Sequence, residues 1–327
     1  MDTRLVNMLK YAKIPFELNV KPGENVLIVI DTETDPLAWQ ALAAAGVSHG
    51  AEVSVGMMTP REAHGYEPTE PIARAMLAAD HIMLCTTKAL AHADVSKQCQ
   101  RQGKVIYFME EVTYDMLSQG ATLEDYAEMA KLGQKVMDLW TTSNRVHITS
   151  ALGTDFTASL EGRRGLYIAG KAFRNDQLQM CCCAFPDGEA VIAPVEGTGE
   201  GTVVWDTTVH SVGLLKEPMV LTIKRGVVVS IEGGYQAQQF KEILDRQNDP
   251  NSFKFPAEIA IGLNPKARIT GILREDKKAL GTCHLAVGTN VDFGGTVKAK
   301  VHMDGLIRKP TVVMDDVVVV KDGRPMV

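Results

Sequence analysis

Two histidines and an aspartate near the end of this chain have types and spacing that suit a metal ion. They are His284, His302 and Asp304, within the glycine-rich stretch from Gly281 to Asp304. There Val297, Ala299, Val301 and Met303 alternate with Lys298, Lys300, His302 and Asp304. A period of two puts His302 and Asp304 on one face of a strand, as neighbours on a rigid element. His284 lies in a second such run, Thr282-Cys-His-Leu-Ala-Val287, closed by Gly288. If the two strands pair, two imidazoles and one carboxylate converge with positions left open, the arrangement that suits non-haem Fe(II). Gly281, Gly288, Gly294, Gly295 and Gly305 bracket these residues. Glycine in strand patterns marks bulges, hairpin turns or close backbone approach. A His-x-Asp pair on a strand is also a common surface couple, so spacing alone leaves both readings open.

Two carboxylates stand out as partners for this set. Glu189 follows a Pro186-Asp-Gly188 turn at the mouth of the apolar run Ala190-Val-Ile-Ala193. Glu258 opens Glu258-Ile-Ala-Ile-Gly-Leu-Asn-Pro265, another apolar run with a turn-forming end. A glutamate inside an apolar segment is costly unless it is paired or coordinated. A solvated carboxylate at a strand end is the alternative for each.

The elements that must position these residues divide into two textures. Up to about residue 145, strands and helices alternate. A helix is expected over 3–14, a buried strand over 25–30, a helix from Asp35-Pro36 to Gly46, and a strand over 52–56. A helix near 70–79, strands at 81–85 and 104–108 and a helix over 122–140 follow, the last with Thr122 as its cap. Asp35 suits an N-cap and Pro36 the first helical position. Such alternation predicts an open, mostly parallel α/β sheet. The glycine fingerprint of dinucleotide binding is absent after the first strand, where Asp31-Thr-Glu-Thr-Asp35 stands instead; NAD and FAD are therefore not expected. Those acids are read as caps in preference to ligand contacts.

Beyond residue 145 the chain turns to short strands with Gly and Pro turns. They are expected at 146–149, 155–160, 180–183, 190–193, 201–205, 219–223, 226–231, 311–314 and 317–320, with one helix at 237–246. This predicts an α/β (Rossmann-like) domain over 1–145 and a β-rich α+β domain over 146–327 that carries the metal site.

Composition narrows the function classes. A chain of 327 residues is too long for one small core, and its 45% hydrophobic and 23% charged residues are ordinary for a globular protein. Net charge is −6 with no basic block, which argues against a nucleic-acid partner. No apolar run reaches the length of a membrane span and the N-terminus shows no signal-peptide core, so a cytoplasmic location is expected. The six cysteines include Cys181, Cys182 and Cys183 in succession but no Cys-x-x-Cys spacing. They read as small buried strand fillers.

Four pieces in order make the chain resemble a known family. They are Phe185-Pro-Asp-Gly-Glu189, Glu258-Ile-Ala-Ile-Gly-Leu-Asn-Pro265, Leu280-Gly-Thr-Cys-His-Leu-Ala-Val-Gly288 and Val301-His-Met-Asp304. This order resembles the thermophilic metalloaminopeptidase (aminopeptidase T) superfamily, mostly over the C-terminal half. The peptidases are longer and carry a tyrosine on the loop after the first histidine; here that loop, Gly288 to Gly295, has none. Both departures look like the shorter branch of that superfamily, the 2,5-dihydroxypyridine 5,6-dioxygenases.

The dioxygenase resemblance implies a mononuclear Fe(II) held by His284, His302 and Asp304, with a small-molecule substrate and O2 as partners. Glu189 and Glu258 then stand behind the ligands or act as acid and base. Glu161 and His92 are candidates for substrate contact, against the plainer readings of a strand-end charge and a surface helix residue. The peptidase resemblance implies instead that Glu189, Glu258, His284, His302 and Asp304 together hold two Zn, Co or Mn ions and that the substrate is a peptide. A non-catalytic scaffold that has kept the fold is the third reading. In either branch relatives assemble, and exposed strand edges favour a homo-oligomer.

Overall fold

The strand Asn25–Asp31 is apolar from Val26 to Ile30, and every one of those side chains is buried. That is what a strand covered on both faces of a parallel sheet requires. The computed structural model describes residues 2–62, 64–91, 93–175 and 180–327, which fall into two compact units.

The first unit comprises Met1–Tyr126 with Ile168–Asp187. Its six-stranded sheet has the order Glu52–Met58, Asn25–Asp31, His81–Leu84, Val105–Phe108, Met180–Ala184, Phe173–Asn175. The first five strands are parallel and the last is antiparallel. The helix Pro36–His49 starts as its sequence demands. Asp35 accepts the Leu37 N–H at 2.9 Å, Pro36 opens the first turn, and Gly50 ends the helix in the left-handed region at φ +90°.

The strand Met180–Ala184 belongs to this unit, where the sequence pattern had placed it among the β-rich second half. Cys181, Cys182 and Cys183 are all buried there, and burial pushes the Cys183 thiol well above its ordinary value. They are strand fillers, as expected, but of the parallel sheet. A small apolar run suits a strand covered on both faces in either kind of sheet, and here its pairing with Val105–Phe108 is parallel. Thr122 does not cap the long helix. It lies in the 3-10 turn Gly120–Leu123 and donates to the Met116 carbonyl at 2.6 Å, while the helix runs Tyr126–Thr142.

The second unit comprises Ala127–Tyr167 with Gly188–Val327, so the expected boundary near 145 falls inside it. An eight-stranded antiparallel sheet runs from Val227–Glu232 at one edge to Arg324–Pro325 at the other. A seven-stranded sheet carries at its centre His302–Ile307, Cys283–Gly288, Glu258–Gly262 and Glu189–Ile192, side by side and antiparallel. On one face of it Trp205 packs so closely on Gly305 that a Cβ there would lie 2.0 Å from the indole. Only glycine permits that approach. Among the described residues no helix is long and apolar enough to cross a membrane.

Candidate metal centre

Register brings the polar residues together. Glu189 pairs with Gly262, Glu258 with Ala286, His284 with Ala260 and Leu306, Asp304 with Ala286, and His302 with Gly288. Directly paired residues share a face, and alternate residues return to it. All five candidate ligands therefore project from the face opposite Trp205. Between them stand Ala260 and Ala286, small residues that leave the space above the sheet to the polar side chains, and Gly262 and Gly288, which admit the Ala279 and Val301 carbonyls. The strand that carries His302 and Asp304 begins only at His302; residues 297–301, expected to extend it, do not.

The side chains meet at short range. His302 Nε2 lies 2.8 Å from Glu258 Oε2 and 3.2 Å from Asp304 Oδ1. His284 Nε2 lies 3.1 Å from Glu258 Oε1 and 3.5 Å from Glu189 Oε2. Their donor atoms form two groups, Glu189–Glu258–His284 and Glu258–His302–Asp304, each within 4.8 Å. Glu189 and Asp304 each keep one buried oxygen, Oε2 and Oδ1, that accepts no well-formed hydrogen bond. Buried carboxylate oxygens left so are costly, and a cation is the natural partner for them.

Two lysines complete the electrostatics. Lys277 and Lys278 follow the short helix Leu273–Asp276. Lys277 Nζ donates to Asp304 Oδ2 at 2.9 Å and lies 3.9 Å from Glu189 Oε2. Lys278 Nζ, fully buried, lies 2.7 Å from Glu189 Oε1. Their loop is pinned from both sides. The Asp276 carboxylate accepts the N–H groups of Thr270 and Gly271 and the Thr208 hydroxyl. Asn264 exchanges backbone hydrogen bonds with Lys278 and Leu280.

These neighbours set the charge states. Burial alone would raise the Asp304 carboxyl, yet the Lys277 ammonium and the two imidazoles hold it well below the usual range. For Glu189, burial is likewise outweighed by Lys277 and Lys278. Burial resists protonation of His302, but Asp304 and Glu258 raise its pKa well above the ordinary imidazole value. Burial resists the charge on Lys277 too, and Asp304, Glu189 and Glu258 overcome it to raise its pKa. Burial lowers the nearby Arg274 guanidinium to about 10.

The loop joining the two histidine strands orients His302. The imidazole Nδ1–H donates to the Thr289 carbonyl at 2.8 Å, which aims Nε2 into the cluster. Next to Thr289, the Asn290 amide donates to Glu196 at 2.9 Å, and Glu196 also accepts Thr296 N–H at 2.7 Å and the Arg163 guanidinium. Against the cost of burial, the Thr296 N–H, the Asn290 amide and Arg163 draw Glu196 down to about 2. The Phe293 ring lies 5.6 Å from that of His302, on the loop that lacks a tyrosine.

Five of the seven residues singled out from sequence thus converge. Glu161 does not: it stands exposed in the turn after Asp155–Ser159. His92 lies outside the described residues. The sequence reading missed Lys277 and Lys278, which sit in Arg274-Glu-Asp-Lys-Lys278 and look there like any solvated charge run. The available signal was position: the run ends six residues before His284, between apolar pieces.

Fold and cluster together define a class, the two-unit α/β proteins with a histidine–carboxylate centre on an antiparallel sheet. Two solved structures share the fold. One is the 2,5-dihydroxypyridine dioxygenase of Pseudomonas putida KT2440, with TM-score 0.83 and 21% identity, covering 98% of this chain and 97% of that one. The other is wild-type AmpT from Thermus thermophilus, with TM-score 0.74 and 15% identity, covering 98% and 99%. In sequence, the 2,5-dihydroxypyridine 5,6-dioxygenase of Pseudomonas putida KT2440 is 25% identical over 262 residues, 76% of this chain and 72% of that protein. The family model for 2,5-dihydroxypyridine 5,6-dioxygenase (NicX) matches residues 8–327, and the chain belongs to that family of dioxygenases.

Proposed function

We propose that this enzyme opens the ring of 2,5-dihydroxypyridine or a close hydroxylated N-heterocycle, using one Fe(II) and O2. The observation that carries the reading is the cluster itself: two histidines and one aspartate on a single sheet face, with both neighbouring glutamates already engaged by protein groups. The donor set fits a metal ion, since one buried oxygen of Asp304 and one of Glu189 accept no well-formed hydrogen bond. His284, His302 and Asp304 would hold it. When bound, Fe(II) supplies the one-electron chemistry that O2 needs and open positions for substrate and O2.

The rest falls to the chain's own groups. Thr289 O fixes the tautomer and ring angle of His302. Glu258, hydrogen-bonded to both imidazoles in the metal-free protein, keeps their Nε2 atoms aimed into the site, and the proton that His302 Nε2 must lose on becoming a ligand leaves to solvent. Glu189, held by Lys278, points its other oxygen into the site, where it can take the hydroxyl proton of an incoming ring. Burial of Glu258, His284 and Asp304 keeps bulk water from competing for these contacts.

A dinuclear peptidase is the rival reading, favoured by the two donor groups that share Glu258. Two assays on the same Fe(II)- and Co(II)-loaded samples separate the two. The dioxygenase consumes O2 with hydroxypyridines and releases nothing from leucyl peptides. Peptide hydrolysis that disappears in Glu258→Gln, with no O2 uptake on any hydroxylated ring, overturns the proposal in favour of the peptidase.

A further inference from the structure

The cluster has more donors than one ion needs. Its two groups, Glu189–Glu258–His284 and Glu258–His302–Asp304, share Glu258 and are each tight enough to take an ion. Building on the metal reading above, we propose that the Lys277 ammonium stands in for a second ion and fixes the count at one metal per chain.

The placement is specific. Lys277 Nζ is 2.9 Å from Asp304 and 3.9 Å from Glu189, so it joins the one carboxylate that is unique to each group. A second dication that uses Glu189 and Asp304 would have to approach this ammonium closely, and in a low-dielectric interior that repulsion is severe. The side chain cannot readily retreat. It is 14% exposed, and its loop is anchored through Asp276 and Asn264. A lysine that only snorkelled past the site would carry its head to water; this one carries it inward.

Charge counting agrees. Glu189, Glu258 and Asp304 bring three negative charges, and Lys277 with Lys278 return two positive ones. One dication leaves the set slightly positive, which an anionic hydroxypyridine oxygen can balance. Two dications would leave two further positive charges buried in the same set. With Lys277 neutralised, two metals and a bridging hydroxide come close to balance.

The test is metal content, measured without turnover. Wild type, Lys277→Met, Lys277→Gln and Lys277→Arg are loaded with Co(II) alone, freed of excess ion, and analysed by mass spectrometry of the metal and by the break point of the cobalt visible-absorption titration. Wild type and Lys277→Arg should hold about one ion per chain, and the two uncharged variants about two. Circular dichroism verifies that each variant is folded, and the glutamine variant serves if the methionine variant is not. If both uncharged variants stay at one ion, the lysine's role is refuted while the single-metal reading stands. Two ions or none in the wild type refutes the single-metal reading and the lysine's role together.

Discussion

Both units bury carboxylates at the ends of apolar strands, and they use them in opposite ways. In the parallel sheet, Asp31 is buried at the C-terminal end of Asn25–Asp31. One oxygen accepts the Thr87 N–H and hydroxyl at 2.7 Å each, and the other accepts the Glu33 N–H at 3.0 Å. Asp35 gives one oxygen to Leu37 N–H and the other to Tyr114 N–H. Every oxygen there is consumed by a neutral donor of a nearby turn or helix end. On the seven-stranded sheet, Glu189, Glu258 and Asp304 face the ammonium groups of the Lys277–Lys278 loop and the imidazoles of the two histidine strands, and two of their oxygens keep no well-formed hydrogen bond. The lesson is that burial of an acid does not mark a site. A carboxylate satisfied by neutral backbone and hydroxyl donors is architecture, whereas one facing titratable groups is chemistry.

Mutation should separate the two kinds of acid. The largest effect is expected at the cluster. His302→Ala or Asp304→Asn should reduce activity by more than the roughly 10- to 100-fold typical of residues behind a ligand, and should empty the site of metal. Full metal occupancy in either variant would remove it from the ligand set. At Asp31 the pattern should invert. Asp31→Ala leaves several donors unpaired and should cost about 3 kcal/mol of stability, seen as a lower Tm, with metal content unchanged. An Asp31 variant that keeps its Tm but loses metal would erase the contrast.

Proton linkage gives a finer test. The raised pKa of His302 means that its imidazole, hydrogen-bonded through both nitrogens, is charged at neutral pH in the metal-free protein. Metal uptake must expel a proton, so affinity should climb with pH. Calorimetry in buffers of different ionisation enthalpy reads that release directly; none at neutral pH would contradict the assignment. By the same sign, this pair stabilises the metal-free fold fully below the ordinary imidazole value of 6.5 and stops doing so as pH rises through the raised pKa.

The smallest effect belongs to the clasp on the loop after Thr289. Glu196 has a depressed pKa, so its contribution is present above the ordinary carboxyl value of 4.5 and fades as pH falls toward about 2. Glu196→Gln should flatten the fall in Tm over that window. An unchanged acid limb would mean that the clasp is too solvated to matter.

Much of the site was legible in the sequence because strands encode faces. The period of two placed His302 beside Asp304, a second strand-like run closed by Gly288 gave His284, and the cost of a glutamate in an apolar segment marked Glu189 and Glu258. What could not be read were the partners that come from loops. Lys277 and Lys278 have no periodic context, and only the pinning of their loop by Asp276 and Asn264 turns them inward. Strand membership failed in the same way at Met180–Ala184. Its small apolar residues suit either kind of sheet, and only the long-range pairing with Val105–Phe108 decides which.

The central claim is that the cluster brings a hydroxylated ring and O2 together on one metal. Single turnover of the Fe(II)-loaded enzyme with 2,5-dihydroxypyridine under ¹⁸O₂, read by mass spectrometry of the ring-opened product, tests it most directly. Both atoms of one O2 should appear in the product, and neither with His302→Ala. Product labelled only from water, or a ring left intact while a leucyl peptide is hydrolysed by the same sample, would contradict it.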